Sequence, residues 1–178
     1  DQQRPDSCGV FGQRLPVTPR LDALAADGVA FDEAFTVQPV CGPARAAIQT
    51  GRYPTTTGCW RNGIALPPGT DTLADRMAAL GYSTGYIGKW HLASNRGRNL
   101  PADRPQARFE RQSVPPERRG GYRDAWVAAD ALEHTSGPTS GHVYDETGTQ
   151  VDLHGYRVDA LTDIAIDRLG RFANDRPF

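Results

Sequence analysis

The chain has 178 residues, of which 38% are hydrophobic and 23% charged, and its formal net charge is −1. This length and composition are typical of one globular domain with a sizeable core. The small net charge predicts no nucleic-acid partner and no attraction to an anionic membrane. No apolar run reaches the ~18 residues that a membrane span needs.

The first predicted element is a helix over residues 18–28. Thr18 suits the N-cap position, Pro19 suits the first turn, and a glycine ends the segment. The apolar residues that follow predict a short strand over residues 29–35. A second helix is predicted over residues 43–50, where a proline begins the segment and a glycine follows it.

The middle of the chain predicts a third helix over residues 72–80 and a strand over residues 82–87. Periodicity then fails over about residues 94–123, where Arg, Pro and Gly dominate. This segment is interpreted as a long loop or insertion. A short helix is predicted over residues 126–133.

The last part of the chain predicts a turn and hairpin over residues 137–155 and an amphipathic helix over residues 155–171. Strands that alternate with helices are typical of an α/β layer with a largely parallel sheet. The sequence therefore predicts the α/β fold class.

The chain has three cysteines, Cys8, Cys41 and Cys59, an odd number that indicates no disulfide framework. Their spacing matches no zinc site. Cys8 and Cys59 are interpreted as small buried hydrophobic residues. The 20 basic residues are 19 Arg and a single Lys, Lys89. A lone Lys in an Arg-biased chain points to a position that needs a compact point charge.

Cys41 is the candidate nucleophile. It comes just before the predicted helix, where free backbone N–H groups and the helix dipole favour an anion or an activated nucleophile. Gly42 lets the backbone approach a ligand closely, and Arg45 lies one turn into the helix. These residues predict a nucleophile that acts on an anionic substrate.

Two segments resemble one known family. Residues 40–52 read VCGPARAAIQTGR, and residues 81–91 read GYSTGYIGKWH. The first contains C-x-P-x-R followed by T-G, and the second contains G-K-W-H. Together and in this order they resemble the two signatures of the formylglycine-dependent sulfatases, which have the alkaline phosphatase-like fold. A weaker match, DQQRPD at residues 1–6, resembles the calcium-binding pair at the end of the first strand in that family.

The resemblance implies roles for these residues. Cys41 would be oxidised to formylglycine, whose hydrate offers one hydroxyl to attack sulfur and a second to release sulfate. Arg45 would hold the nucleophile, Lys89 would bind a sulfate oxygen, and His91 would hydrogen-bond the nucleophile or the ester oxygen. Asp1 and Gln2 would bind Ca²⁺, together with the modified residue 41.

The resemblance also implies the domain to which this chain belongs and the partners of that domain. It covers essentially the whole chain, so residues 1–178 are expected to form the N-terminal part of a sulfatase catalytic domain. That domain is expected to be an α/β/α sandwich with a mostly parallel sheet, truncated here, its C-terminal portion absent. The expected partners are a formylglycine-generating enzyme and a small-molecule or saccharide sulfate ester. We expect the chain alone neither to hold calcium well nor to turn over substrate.

Alternative functions stay open at this point. Phosphonate monoester and phosphodiester hydrolases use the same C-x-P-x-R motif on the same scaffold. A non-catalytic module that binds sulfated ligands would keep an unmodified thiol at Cys41. A thiol redox protein is disfavoured because no resolving cysteine is near in sequence. The compartment is equally open between cytoplasm, periplasm and secretion.

Two further groups of residues are interpreted as surface features. The loop over residues 94–123 carries eight Arg against three acidic residues. It is interpreted as a solvated loop, with a rim that attracts an anionic substrate as the alternative. His134, His142 and His154 lie in polar turn regions and are interpreted as surface residues.

Overall fold

The computed structural model describes residues 3–172 and 176–178, and it divides into two compact units, Asp1–Thr36 and Val37–Phe178. The predicted calcium ligands Asp1 and Gln2 lie outside the described residues. None of the helices in the described ranges has both the length and the apolar character needed to cross a bilayer.

The first unit contains short 3-10 turns at Pro5–Ser7 and Gly9–Phe11 and one helix, α1 (Pro19–Asp27). The predicted helix is thus confirmed, with Pro19 in its first turn. The predicted strand over residues 29–35 is wrong, because this segment forms no strand and no β-bridge. Its apolar pattern fits a strand, but a strand also needs a neighbour with which to pair.

The second unit contains the remaining elements in alternating order. Its helices are α2 (Cys41–Thr50), α3 (Pro54–Thr57), α4 (Leu73–Ala79), α5 (Leu132–Thr135) and α6 (Arg157–Phe172). Its strands are β1 (Gly85–Lys89), β2 (Ala125–Ala129), β3 (Ser140–Tyr144) and β4 (Gln150–His154). A 3-10 turn at Pro116–Arg118 lies within the long loop, which otherwise has little regular structure, as predicted.

The four strands form one mixed sheet in the order β1-β2-β3-β4. β1 and β2 are parallel, with Gly85 opposite Ala125 and Lys89 opposite Ala129. β3 pairs antiparallel with both β2 and β4. The α/β class is confirmed, whereas among the described residues only one of the three strand pairings is parallel.

The predicted helix over residues 126–133 is wrong. Ala125–Ala129 forms strand β2, whose residues are all buried, and only Leu132–Thr135 is helical. A short apolar run cannot be assigned by periodicity alone, because buried strands and buried helix segments both lack a polar face. Here the two flanking strands decide its conformation.

Side chains of β1 and β2 point alternately into two cores. Tyr86, Trp126 and Ala128 belong to a cluster on one face of the sheet, which also includes Ala46 of α2. On the other face, Val127 and Ala129 join a second cluster, against which α6 packs through Ala160, Leu161 and Ile164. The sheet therefore has α2 on one side and α6 on the other.

Candidate functional site

Cys41 is the first residue of α2, and extended Val40 is the N-cap. The helix thus begins two residues earlier than predicted, and the first-turn N–H groups include those of Cys41 and Gly42. Cys41 is half-buried and carries a free thiol. This position places residue 41 at the positive end of the helix dipole, as predicted.

Asn62 orders the start of α2, a role that no local sequence pattern indicates. Its Oδ1 accepts a hydrogen bond of 2.7 Å from the Gly42 N–H. A Cβ at Gly42 would lie 2.9 Å from the same oxygen, too close for a real contact. Gly42 is therefore required by the Asn62 contact, which fixes the backbone next to Cys41.

We expect Asn62→Ala to loosen the first turn of α2. The change removes the acceptor for a buried N–H, at a cost of about 1 kcal/mol, so the Gly42 amide should exchange with solvent roughly fivefold faster. Hydrogen–deuterium exchange mass spectrometry of the full-length protein measures this rate. Asn62→Asp, which keeps an acceptor oxygen, should exchange like the wild type; faster exchange in both variants would contradict the assignment.

Arg45 joins the two signature segments. Its guanidinium nitrogen Nη1 donates to the Lys89 carbonyl oxygen at 2.6 Å and to the Tyr86 hydroxyl at 3.0 Å. The Tyr86 hydroxyl in turn donates to the same Lys89 oxygen. Because Cys41 and Arg45 are four residues apart on one helix, they share a face. The bonds thus hold the helix that begins at Cys41 against the end of β1.

Tyr86 supports the candidate site, a role that its place in the sequence did not indicate. Burial raises the pKa of its phenol above the ordinary value, so at neutral pH it keeps its proton and can donate. Its ring packs against Trp90 and Trp126, at centroid distances of 5.0 and 5.5 Å. This aromatic support fixes the hydroxyl that contacts Arg45 and Lys89.

Lys89 ends β1, and its ammonium forms an ion pair with Glu133 of α5, with Nζ 2.6 Å from Oε1. The Lys89 side chain is 9% exposed and that of Glu133 is 55% exposed. Burial acts to raise the pKa of Glu133, but the hydrogen bond and charge of Lys89, a backbone hydrogen bond and the charge of His91 together hold that pKa below its ordinary value. The single Lys of the chain is therefore a nearly buried cation that pairs with an exposed carboxylate.

His91 has two features that are typical of functional residues. Its φ of 62° lies in the left-handed region, which non-glycine residues rarely adopt. Its Nδ1 is buried and has no hydrogen-bond partner in the part of the chain that the structure describes. A buried polar atom without a protein partner is a candidate contact for a ligand.

The His91 imidazole is expected to stay neutral to a lower pH than an ordinary imidazole. Burial, and then the charge of Lys89, lower its pKa below the ordinary 6.5. Between that pKa and 6.5 the unfolded chain binds a proton that the folded protein does not, so stability should fall as the pH decreases through this window. NMR titration of the full-length protein, with His91→Gln to assign the signal, should give a midpoint below 6.5; a midpoint at or above 6.5 would refute this.

Asp130 fixes the segment that follows His91, and it too was missed. It is fully buried, and its carboxylate accepts hydrogen bonds from the backbone N–H groups of Ala93 (2.9 Å) and Ser94 (3.1 Å) and from the Ser94 hydroxyl. Asp130 directly follows β2. The loop bearing His91 is thus attached to the neighbouring strand's end.

The predicted calcium site depends mainly on residues outside the described part of the chain. Among residues 3–172 and 176–178, no three His, Cys, Asp or Glu side chains form a cluster able to hold a metal. Two of the three predicted ligands, Asp1 and Gln2, are outside this part of the chain. The described residues therefore do not by themselves fit a calcium ion.

The structure also places the other two cysteines, the three remaining histidines and the long loop. Cys8 and Cys59 are buried, as expected. His134 and His154 are exposed and His142 is half-buried. The loop over residues 94–123 is only partly solvated. Its buried arginines, Arg104 and Arg119, donate to backbone carbonyl oxygens and anchor the loop.

Comparison with known proteins shows the same family over the whole chain. The Sulfatase family model matches residues 1–178. An ulvan-active sulfatase from Formosa agariphila is 37% identical over 180 residues, which cover 100% of this chain and 32% of that protein. An N-acetylglucosamine-6-O-sulfatase from Bacteroides thetaiotaomicron is 28% identical, and the match covers 100% of this chain and 27% of that protein. The chain thus spans about a third of these relatives' length.

Solved structures of other proteins have a similar fold. A protein in complex with its substrate D-glucosamine-2-N,6-O-disulfate superposes with a TM-score of 0.77 and 25% identity, covering 100% of this chain and 31% of that one. A protein in complex with a neocarrahexaose gives a TM-score of 0.70 at 23% identity, and the match covers 96% of this chain and 40% of that one. At this identity the likeness supports the fold alone. The predicted sulfatase fold is confirmed, and the chain belongs to the sulfatase family.

Proposed function

We propose that the full-length protein containing this chain hydrolyses sulfate esters with a formylglycine nucleophile made from Cys41. The observation that carries the proposal is the 2.6 Å hydrogen bond from Arg45 to the Lys89 carbonyl oxygen. It holds the helix that begins at Cys41 against the strand end that bears Lys89 and His91. Membership of the sulfatase family supports the same reaction.

Cys41 suits this modification. Its thiol is free and half-buried, at the start of a ten-residue helix. A hydrated formylglycine supplies a hydroxyl nucleophile and a second hydroxyl that expels sulfate, which avoids slow attack by water on a stable ester. We propose a formylglycine-generating enzyme as the maturation partner.

Three side chains would then act on the substrate. Arg45 positions the start of α2 and screens charge that develops near residue 41. Lys89 binds a sulfate oxygen, for which it must exchange its contact with Glu133. Neutral His91 offers its unpartnered Nδ1 to the nucleophile or to the ester oxygen.

We also propose a calcium ion in the full-length protein, with Asp1, Gln2 and modified residue 41 among its ligands. Oxygen ligands are those that Ca²⁺ prefers, and a Gln carbonyl oxygen can serve beside a carboxylate. A bound cation would add positive charge beside the sulfate. The support for this ion is the family likeness at residues 1–6.

A saccharide sulfate ester is the substrate class that we favour over a small aryl ester. One relative is named for N-acetylglucosamine-6-O-sulfate hydrolysis, and one structural neighbour is bound to a glucosamine disulfate substrate.

The direct test is a substrate comparison. The full-length protein, co-expressed with a formylglycine-generating enzyme, is assayed with an aryl sulfate, sulfated saccharides and an aryl phosphonate. We expect release of sulfate at a higher kcat/KM than hydrolysis of the phosphonate. Preference for the phosphonate would favour the phosphonate hydrolase alternative, and binding without turnover would favour a non-catalytic module.

A further inference from the structure

The long loop forms one wall of a polar cleft of about 390 Å³. We call this feature the arginine cleft. Five of its lining residues come from the loop and one from α5: Arg96, Arg108, Glu110, Arg111, Gln112 and His134. The cleft thus gathers three guanidinium groups from a segment that has no role in the chemistry described so far.

The charges in the arginine cleft do not cancel. Its one carboxylate, Glu110, is nearly buried and forms an ion pair with Arg96 at 3.4 Å. Arg108 and Arg111 are exposed, and neither guanidinium has an ion-pair partner among the described residues. Two cations therefore remain available to an anion that enters the cleft.

Short contacts hold the loop backbone in place. Asn95 and Ala107 form an antiparallel bridge with two hydrogen bonds of 2.9 and 3.0 Å. The Asn95 side chain accepts a bond of 2.7 Å from the Ala65 N–H, and the Ser94 hydroxyl accepts one of 2.9 Å from the Phe109 N–H. Because the backbone flanking Arg96 and Arg108 is fixed, the cleft is present before a ligand binds.

The arginine cleft lies beside the proposed sulfate-binding group. His134 directly follows Glu133, whose carboxylate is 2.6 Å from the Lys89 ammonium. Consecutive Cα atoms are about 3.8 Å apart, so one lining residue of the cleft is the chain neighbour of the Lys89 partner. On the other side, Arg96 is close enough to His91 for its charge to help lower the pKa of that imidazole.

We propose that the arginine cleft binds a second anionic group of the substrate, on the saccharide residue next to the one that carries the scissile sulfate. The inference rests on the proposed function and makes it more specific: the preferred substrate is a multiply anionic saccharide. A guanidinium pairs with a carboxylate or a sulfate through two parallel N–H donors, so a uronate carboxylate and a second sulfate share the chemistry that the cleft recognises.

The test uses the matured full-length protein and three matched disaccharides with the same scissile sulfate ester. The neighbouring sugar is neutral in the first, a uronate in the second and sulfated in the third. Arg108→Gln/Arg111→Gln should raise KM for one or both anionic substrates about five- to tenfold, with kcat and the neutral substrate little changed. Arg98→Gln, an exposed charge in the same loop outside the cleft, is the matched control.

Each outcome is decisive. A larger effect on the uronate or on the disulfated substrate identifies the anionic group. Equal effects on all three substrates, no effect on any, or the same effect from Arg98→Gln, would overturn the inference and leave the proposed function standing. Failure of the wild type to release sulfate from every substrate would overturn the proposed function and the inference together.

Discussion

Cys41→Ala in the full-length protein should lower kcat for sulfate ester hydrolysis by about 10⁴-fold or more. Without the thiol no formylglycine can form, so the nucleophile is lost, and the remaining groups can only assist attack by water. The fold should persist, because Cys41 is half-buried in a first helical turn where Ala is well tolerated. Steady-state kinetics with an aryl sulfate measure the effect.

Cys8→Ala is the matched control for loss of a thiol. Cys8 is also free, and it lies outside α2. We expect the kcat of Cys8→Ala to stay within about twofold of the wild-type value, because the substitution touches none of the proposed catalytic groups. Activity of Cys41→Ala above about 1% of the wild type would show that residue 41 is not the nucleophile.

Lys89→Gln should lower kcat by about 10²- to 10³-fold, the range typical for loss of one charged contact to a developing anion. The Lys89 side chain is 9% exposed, and its ammonium is the compact charge proposed to bind a sulfate oxygen. Its removal also leaves Glu133 without its cation, and the carboxylate would then repel the substrate. Measurement of kcat and KM separates the two effects.

Glu133→Gln serves as the control for this ion pair. It removes the carboxylate but keeps the Lys89 ammonium, so kcat should stay within about tenfold of the wild type. The kcat of Lys89→Arg should lie between those of the wild type and Lys89→Gln, because a planar guanidinium cannot fully replace a compact ammonium in the same space. Equal losses in Lys89→Gln and Glu133→Gln would mean that the pair is structural.

The catalytic candidates could be predicted from the sequence because they are close together along the chain. Cys41 and Arg45 lie in one signature segment, and Lys89 and His91 lie in the other. Signatures of this kind specify residue types at fixed spacing. Their positions relative to calcium stay a prediction, because Asp1 and Gln2 lie outside the described residues.

The supporting residues could not be predicted, because each acts across a long separation in sequence. Asn62 contacts residue 42, Glu133 pairs with Lys89, and Asp130 binds the backbone at Ala93. No local pattern marks an Asn, Glu or Asp for such a contact. Only the tertiary structure brings these groups next to the signature segments.

Helices were predicted better than strands. α1 begins with a proline, α4 has a capping box and α6 has a clear apolar face, and all three are local signals. β2 has neither, since its residues are all buried and four of its five are Ala or Val. Its strand conformation comes from pairing with β1 on one side and β3 on the other. Such tertiary pairing overrides the helix preference of Ala.

The most direct test of the account is mass spectrometry of the peptide containing Cys41, from full-length protein co-expressed with a formylglycine-generating enzyme. Conversion of Cys to formylglycine should lower the peptide mass by about 18 Da and give an aldehyde that a hydrazide traps. This shift at residue 41, with Cys8 and Cys59 unmodified, is the result that we predict. An unmodified thiol at Cys41, despite an active maturation enzyme, would contradict the proposed nucleophile.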